Sequence, residues 1–198
     1  MLLKLTVPGV PDIYQGTELW SFDLVDPDNR REVDYALRAR WLDETARSAE
    51  LDENSLRGFV QSLLEAMPDG RIKLYFTFKL LGLRAQLDAV FRFGDYVPLR
   101  VSGAQSDSII AFVRSHEGSD IVVIVSRWFA RLGGANALPV GADAWQDTRV
   151  DVPSSGTWLN VLTGERVVAD EQQPGLLLAD AFATMPWAVC LRAASAKL

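Results

Sequence analysis

The chain has 198 residues, 48% of them apolar, with 20 lysines and arginines against 26 aspartates and glutamates for a net charge of −6. That is core material for one large domain or two small ones, and the acidic balance offers no electrostatic footprint for nucleic acid and little for an anionic membrane surface. One cysteine excludes a disulfide framework, and no stretch approaches the roughly 20 apolar residues of a membrane span.

The first residues, Met1 to Val7, imitate a signal peptide, but Lys4 interrupts the apolar run, Pro8 ends it and no small-residue cleavage site follows. A cytoplasmic location is the default expectation. Residues 1 to 6 finish a helix or enter a strand. The stretch Val7-Pro-Gly-Val-Pro-Asp-Ile-Tyr-Gln-Gly-Thr-Glu18 then sets two X-Pro bonds and two glycines around a short apolar core, which predicts a buried strand around Pro11 to Tyr14 handing over to a loop. Residues 15 to 31 are a long polar loop dense in Asp, Pro and Asn, of a length usually kept for function.

From Val33 the apolar period becomes helical, with Val33, Leu37 and Trp41 on one face and the pairs Asp34/Arg38 and Asp43/Arg47 at i,i+4 spacing. A second helix is predicted over Glu53 to Met67, with Asp52 as N-cap and Pro68 as its stop. A third covers about Gly70 to Leu87 and is apolar around most of its circumference, which implies burial between two layers.

After Gly94 the pattern turns to short strands: about Tyr96 to Val101, Ser108 to Arg114, Asp120 to Ser126, Thr148 to Val152, Trp158 to Leu162, Arg166 to Val168, Leu176 to Leu178 and Pro186 to Arg192. Ile121 to Val125 is apolar on both faces and predicts a central strand. Thr163-Gly164 predicts a hairpin. Helices followed by strands make the fold class α+β with two units, the boundary falling near Ala89 to Gly94 and the second unit reading as an all-β sandwich.

The PGxPxIYxGxE pattern of residues 8 to 18 resembles the eighth strand of the (β/α)8 barrel in α-amylase-type glycoside hydrolases and transferases. Together with Leu24-Val-Asp-Pro-Asp-Asn-Arg-Arg-Glu-Val-Asp-Tyr35, Asp69-Gly-Arg-Ile-Lys-Leu74 and Gly94-Asp-Tyr-Val-Pro-Leu99, it resembles the maltooligosyl trehalose synthase family. The resemblance implies that residues 1–93 are the C-terminal fragment of a barrel, its last strand and helices, and that residues 94–198 are an appended β-sandwich. It also implies an intramolecular transglycosylation that turns the reducing-end α-1,4 linkage of a maltooligosaccharide into an α,α-1,1 linkage.

Retaining chemistry on a glycosidic bond needs two carboxylates about 5 to 5.5 Å apart. In the family these close the fourth and fifth barrel strands, with a supporting aspartate after the seventh, and this chain has no matching positions. The chain alone is therefore expected to carry no catalytic residue and to be inactive. The resemblance leaves the rim of the last strand, where barrel active sites are assembled, and with it Tyr14, Gln15, Glu18, Asp26, Asp28, Asn29, Arg30 and Arg31 as candidate sugar contacts, their side chains being suited to pairing with hydroxyls. Glu18 paired with Arg30 or Arg31 as a loop clamp is the structural alternative. Glu32 stands where the family shows proline.

Other chemistry is thinly represented. His116 is the only histidine, and with no cysteine pair it predicts neither a metal site nor a triad. No cofactor is expected. Trp128 and Trp145, in loop-like segments, are the tryptophans placed to stack on sugar. The expected partners are a maltooligosaccharide through the intact enzyme, and either the missing N-terminal barrel portion or a second copy against exposed apolar surface. A stand-alone β-sandwich module that binds glucan or protein is the alternative.

Overall fold

The computed structural model describes residues 1–25, 30–132, 137–170 and 175–192. The chain folds as two compact units, Met1–Gln86 and Leu87–Leu198. The first is helical: α1 (Leu2–Thr6), α2 (Tyr35–Arg47), α3 (Glu53–Glu65) and α4 (Arg71–Gln86). Asp34 and Asp52 cap α2 and α3, their carboxylates accepting from the main-chain N–H groups of Leu37 and Ser55 at 2.8 and 2.9 Å. The bond to Ser55 N–H holds the Asp52 carboxyl below its ordinary range.

The helices meet on Leu5, Val60, Leu63, Tyr75 and Leu80, all essentially without solvent contact. Around α4 the buried set runs Ile72, Leu74, Tyr75, Phe76, Thr77, Leu80 and Leu83, so burial covers much of its circumference. Tyr75 sits edge-on to Phe59, and burial pushes its hydroxyl well above the usual phenol range.

Pro11 to Tyr14 form no strand. A strand needs a neighbouring ladder, and no other strand occurs among the described residues of the first unit. What holds the chain in place of a ladder is a set of side-chain donors aimed at carbonyls on either side of the segment, those of Leu5, Gly9, Gly16 and Leu19.

The second unit opens with the short α5 (Asp88–Phe93) and carries nine strands among its described residues. One sheet has the order β1-β3-β4-β9-β6-β7 and a smaller one β2-β5-β8, for β1 (Asp95–Pro98), β2 (Val101–Ser102), β3 (Ile109–His116), β4 (Ser119–Ser126), β5 (Arg149–Asp151), β6 (Gly156–Asn160), β7 (Arg166–Ala169), β8 (Gly175–Leu177) and β9 (Trp187–Arg192). Every pairing is antiparallel. β4 is an interior strand as its two-faced apolar sequence predicts, with Ile121, Val122, Val123 and Ile124 fully buried. Two further short helices, α6 (Gly141–Trp145) and α7 (Leu178–Ala181), add Trp145 and Leu178 to a core that takes Val122 and Ile124 from the larger sheet and Val150 and Leu176 from the smaller.

The β6–β7 hairpin turns through Thr163-Gly164 as expected, on a polar scaffold. The Asn160 side-chain oxygen accepts from the N–H groups of Leu162 and Val189 at 3.2 and 3.3 Å, and Thr184 donates to Glu165 at 2.7 Å.

Arg114 is 2% exposed. Its guanidinium donates to the carbonyls of Val90, Phe91, Gly94 and Asp95 at 3.0 to 3.3 Å. The first two lie in the last turn of α5 and the other two just after it, so the guanidinium sits at the C-terminal end of that helix, where a cation meets the negative end of its dipole. Burying the charge is tolerable because its donors are satisfied.

Candidate functional site

The loop that the sequence singles out is built against α2 and α4. It begins with a turn in which the Tyr14 carbonyl accepts from the Thr17 N–H at 3.1 Å and from its hydroxyl at 2.6 Å. Gly16, at φ +83°, turns the chain here and lies against the Val33 side chain. The Arg38 guanidinium then gathers three acceptors: the Gly16 carbonyl at 2.7 Å, the Glu18 carboxylate at 3.2 Å and the Asp34 carbonyl at 3.1 Å. Arg38 thus pairs with Glu18, and Asp34, freed from the i,i+4 ion pair that spacing predicts, uses its carboxylate as the cap of α2.

Further donors continue the pattern. Lys73 of α4 donates to the Leu19 carbonyl at 2.9 Å, and the Trp20 indole N–H donates to the Met67 carbonyl at 2.6 Å. Arg84 donates to the carbonyls of Leu5 and Gly9 at 3.0 and 3.2 Å. Burial lowers the Lys73 ammonium's proton affinity, Glu18 partly restores it, and Lys4 opposes it. At Gly70 the backbone is left-handed, φ +84°, and a Cβ there would stand 2.8 Å from the Trp20 nitrogen, so glycine is what lets Trp20 lie against the start of α4.

The result is a polar cleft of about 350 Å³ whose walls include Gln15, Trp20, Asp23, Arg31, Asp34 and Arg38. It is within the usual size range of small-ligand sites. Of the sequence candidates, Gln15 and Arg31 line the cleft, and Glu18 stands beside it as the partner of Arg38. Tyr14 is exposed, and its carbonyl rather than its ring makes the turn. Gln15 receives a long contact from the Tyr35 hydroxyl at 3.4 Å. Arg30 is exposed and lies outside the cleft lining. Asp26, Asp28 and Asn29 lie outside the described residues. The clamp foreseen between Glu18 and Arg30 or Arg31 is supplied by Arg38.

Arg38 and Trp20 are the site residues that the sequence alone does not single out. Both act across the fold, and the signal for Arg38 is Asp34 itself: an Asp immediately before a helix is a cap first and an ion-pair partner second.

Trp145 is no sugar platform. It is fully buried, with its N–H on the Pro139 carbonyl at 2.8 Å and its ring edge-on to Phe182. Cys190 is likewise buried, its thiol pushed up to about 12 chiefly by desolvation, with nearby Glu165 adding to the shift. Among the described residues no three His, Cys, Asp or Glu side chains gather as metal ligands, and no helix is long and apolar enough to cross a membrane.

No family model matches the chain. Over 191 residues it is 35% identical to putative maltooligosyl trehalose synthases of two Mycobacterium tuberculosis strains, a match that covers 96% of this chain and 20% of each relative. The structure of maltooligosyltrehalose synthase from Arthrobacter ramosus aligns with a TM-score of 0.68 at 31% identity, covering 96% of this chain and 21% of that one. A further crystal structure of a maltooligosyl trehalose synthase aligns at 0.61 and 28% identity. Homologues that cover this chain are therefore maltooligosyl trehalose synthases, matched in their C-terminal part, and the chain spans about a fifth of their length.

Proposed function

We propose that this chain is the C-terminal part of a (1→4)-α-D-glucan 1-α-D-glucosylmutase, an enzyme of trehalose biosynthesis that moves the reducing-end α-1,4 linkage of a maltooligosaccharide to α,α-1,1. On this reading residues 1–93 finish the catalytic barrel, residues 94–198 form its appended β-sandwich, and the enzyme works in the cytoplasm. The observation that carries it is the match of 96% of the chain to proteins of that name, reached by way of a loop whose polar cleft is of ligand size.

The nucleophile and the acid/base belong to the four-fifths of the relatives' length that this chain does not span. What residues 14 to 38 contribute is positioning. The reaction succeeds only if the glycosyl-enzyme is intercepted by the released glucose before water reaches it, so the walls of the site must hold that glucose and exclude solvent. Gln15 and Arg31, and in the same loop Asp28 and Asn29, are the groups proposed to hydrogen-bond sugar hydroxyls. Arg38 is a positioning residue that acts through Gly16 and Glu18.

The test has two arms. The chain alone, incubated with maltopentaose, is expected to yield no non-reducing product, and detection of one would overturn the assignment of catalysis to the remainder of the enzyme. A chimera in which these 198 residues replace the matching fifth of the Mycobacterium relative should form the α,α-1,1 product. A chimera that folds and binds maltopentaose yet forms none would overturn the positioning role.

A further inference from the structure

β4 ends at Ser126, and the chain leaves it through an unusual corner. Trp128 has φ +59° and ψ +44°, a left-handed conformation that is a true outlier for so bulky a residue. Such strain persists only where its surroundings fix it. Here the Arg127 N–H donates to the Ser108 carbonyl and the Arg131 N–H to the Trp128 carbonyl, both at 2.8 Å, while Phe129 packs edge-on against Trp187.

The corner holds Trp128 out in solvent at 44% exposure. Over its ring stand two guanidinium carbons, Arg127 at 3.9 Å and Arg131 at 4.3 Å from the centroid. They take the stacking surface that a sugar would need, so glucan stacking on Trp128 is disfavoured by its own neighbours. Arg127 spends its Nε on the Asp107 carbonyl at 3.0 Å. Among the described residues neither arginine has a carboxylate in ion-pair range, and the Trp128 N–H has no protein acceptor. In a chain of net charge −6, two guanidinium groups are thus held on one ring with their charge uncompensated and most of their donors facing solvent. An exposed guanidinium with free donors matches the planar or tetrahedral oxygens of a carboxylate or phosphate.

We propose that Arg127, Trp128 and Arg131 form a binding site for the oxyanion of a small ligand, a phosphate monoester or a carboxylate, independent of the cleft in the first unit. The test is a titration of the uniformly ¹⁵N-labelled chain with inorganic phosphate and, separately, with acetate, each against chloride at matched ionic strength. The readout is the indole N–H resonances, with Trp128 assigned by W128F. A saturable shift of the Trp128 resonance in either titration is expected, weakened at least tenfold in R131Q, a variant that removes no hydrogen bond of the corner. Phosphate saturating alone identifies a phosphate site, and acetate saturating alone a carboxylate site. A Trp128 resonance that follows ionic strength identically in all three salts overturns the proposal, as does an R131Q chain that responds like the unaltered one.

Discussion

Arg38 and Glu18, 20 residues apart in sequence, meet at 3.2 Å with both side chains partly buried. The same guanidinium holds the Gly16 carbonyl, so one residue of α2 fixes both the turn and the carboxylate beside the cleft. Arg38→Ala is expected to destabilise the first unit by about 1–3 kcal/mol, since it leaves a half-buried carboxylate and a carbonyl without their donor. Arg38→Lys should recover only part of this, because an ammonium lacks the planar fork. Urea unfolding measures the loss, and faster amide exchange at Thr17 and Glu18 locates it. Unchanged exchange there in Arg38→Ala would sink the clamp.

Arg114 answers four carbonyls around the end of α5. Arg114→Leu should cost the second unit roughly 1–3 kcal/mol for each carbonyl left buried without a donor, because a Leu side chain fills space but donates nothing. A chemical-denaturation midpoint within experimental error of the parent would show that water replaces those donors at no penalty.

Gly70→Ala is expected to cost about 1–2 kcal/mol, through a left-handed backbone and a methyl group driven toward the Trp20 main-chain nitrogen. The effect should appear where Trp20 is. Its fluorescence, isolated by difference against W20F, should shift to the red as the indole leaves the Met67 carbonyl.

Cys190 supplies a pH prediction. Its folded-state thiol lies at about 12 against an ordinary 9.0, so between those values the native state keeps a proton that the unfolded chain has released. Stability is therefore fully present below pH 9.0 and declines as pH rises toward 12. Cys190→Ala should lose about 1–2 kcal/mol at neutral pH through the cavity, yet flatten the alkaline decline. The native thiol should also stay inert to a disulfide reagent at pH 8 and react with one equivalent in denaturant.

Local rules carry the elements well. The N-cap at Asp52, the interior strand around Val122 and the hairpin at Thr163-Gly164 follow from spacing and residue type alone, and all three stand in the structure. Elements that depend on distant partners are not legible in this way. Pro11 to Tyr14 reads as a strand from its own composition, but a strand exists only with a neighbour, and here Arg84, Lys73 and Arg38 take up nearby carbonyls instead. The short helices α6 and α7 leave no trace in the pattern because five and four residues hold no period. In the site, loop composition points to Gln15 and Arg31, while Arg38 and Trp20 stay hidden because the partners that draw them in, Glu18 and the Met67 carbonyl, lie 20 and 47 residues away.

The position of β9 between β4 and β6 carries a consequence for how the protein is made on the ribosome. The hairpins β3–β4 and β6–β7 can each close as they emerge, but nothing joins them until residues 187–192 are free of the exit tunnel. Until then both present an open edge, and Val122 and Ile124 wait without the strand that completes their sheet. A premature stop ahead of Trp187 therefore severs the larger sheet into a three-stranded β1-β3-β4 piece and the β6–β7 hairpin, and a chaperone that shields paired-strand edges matters most in the interval before residues 187–192 arrive.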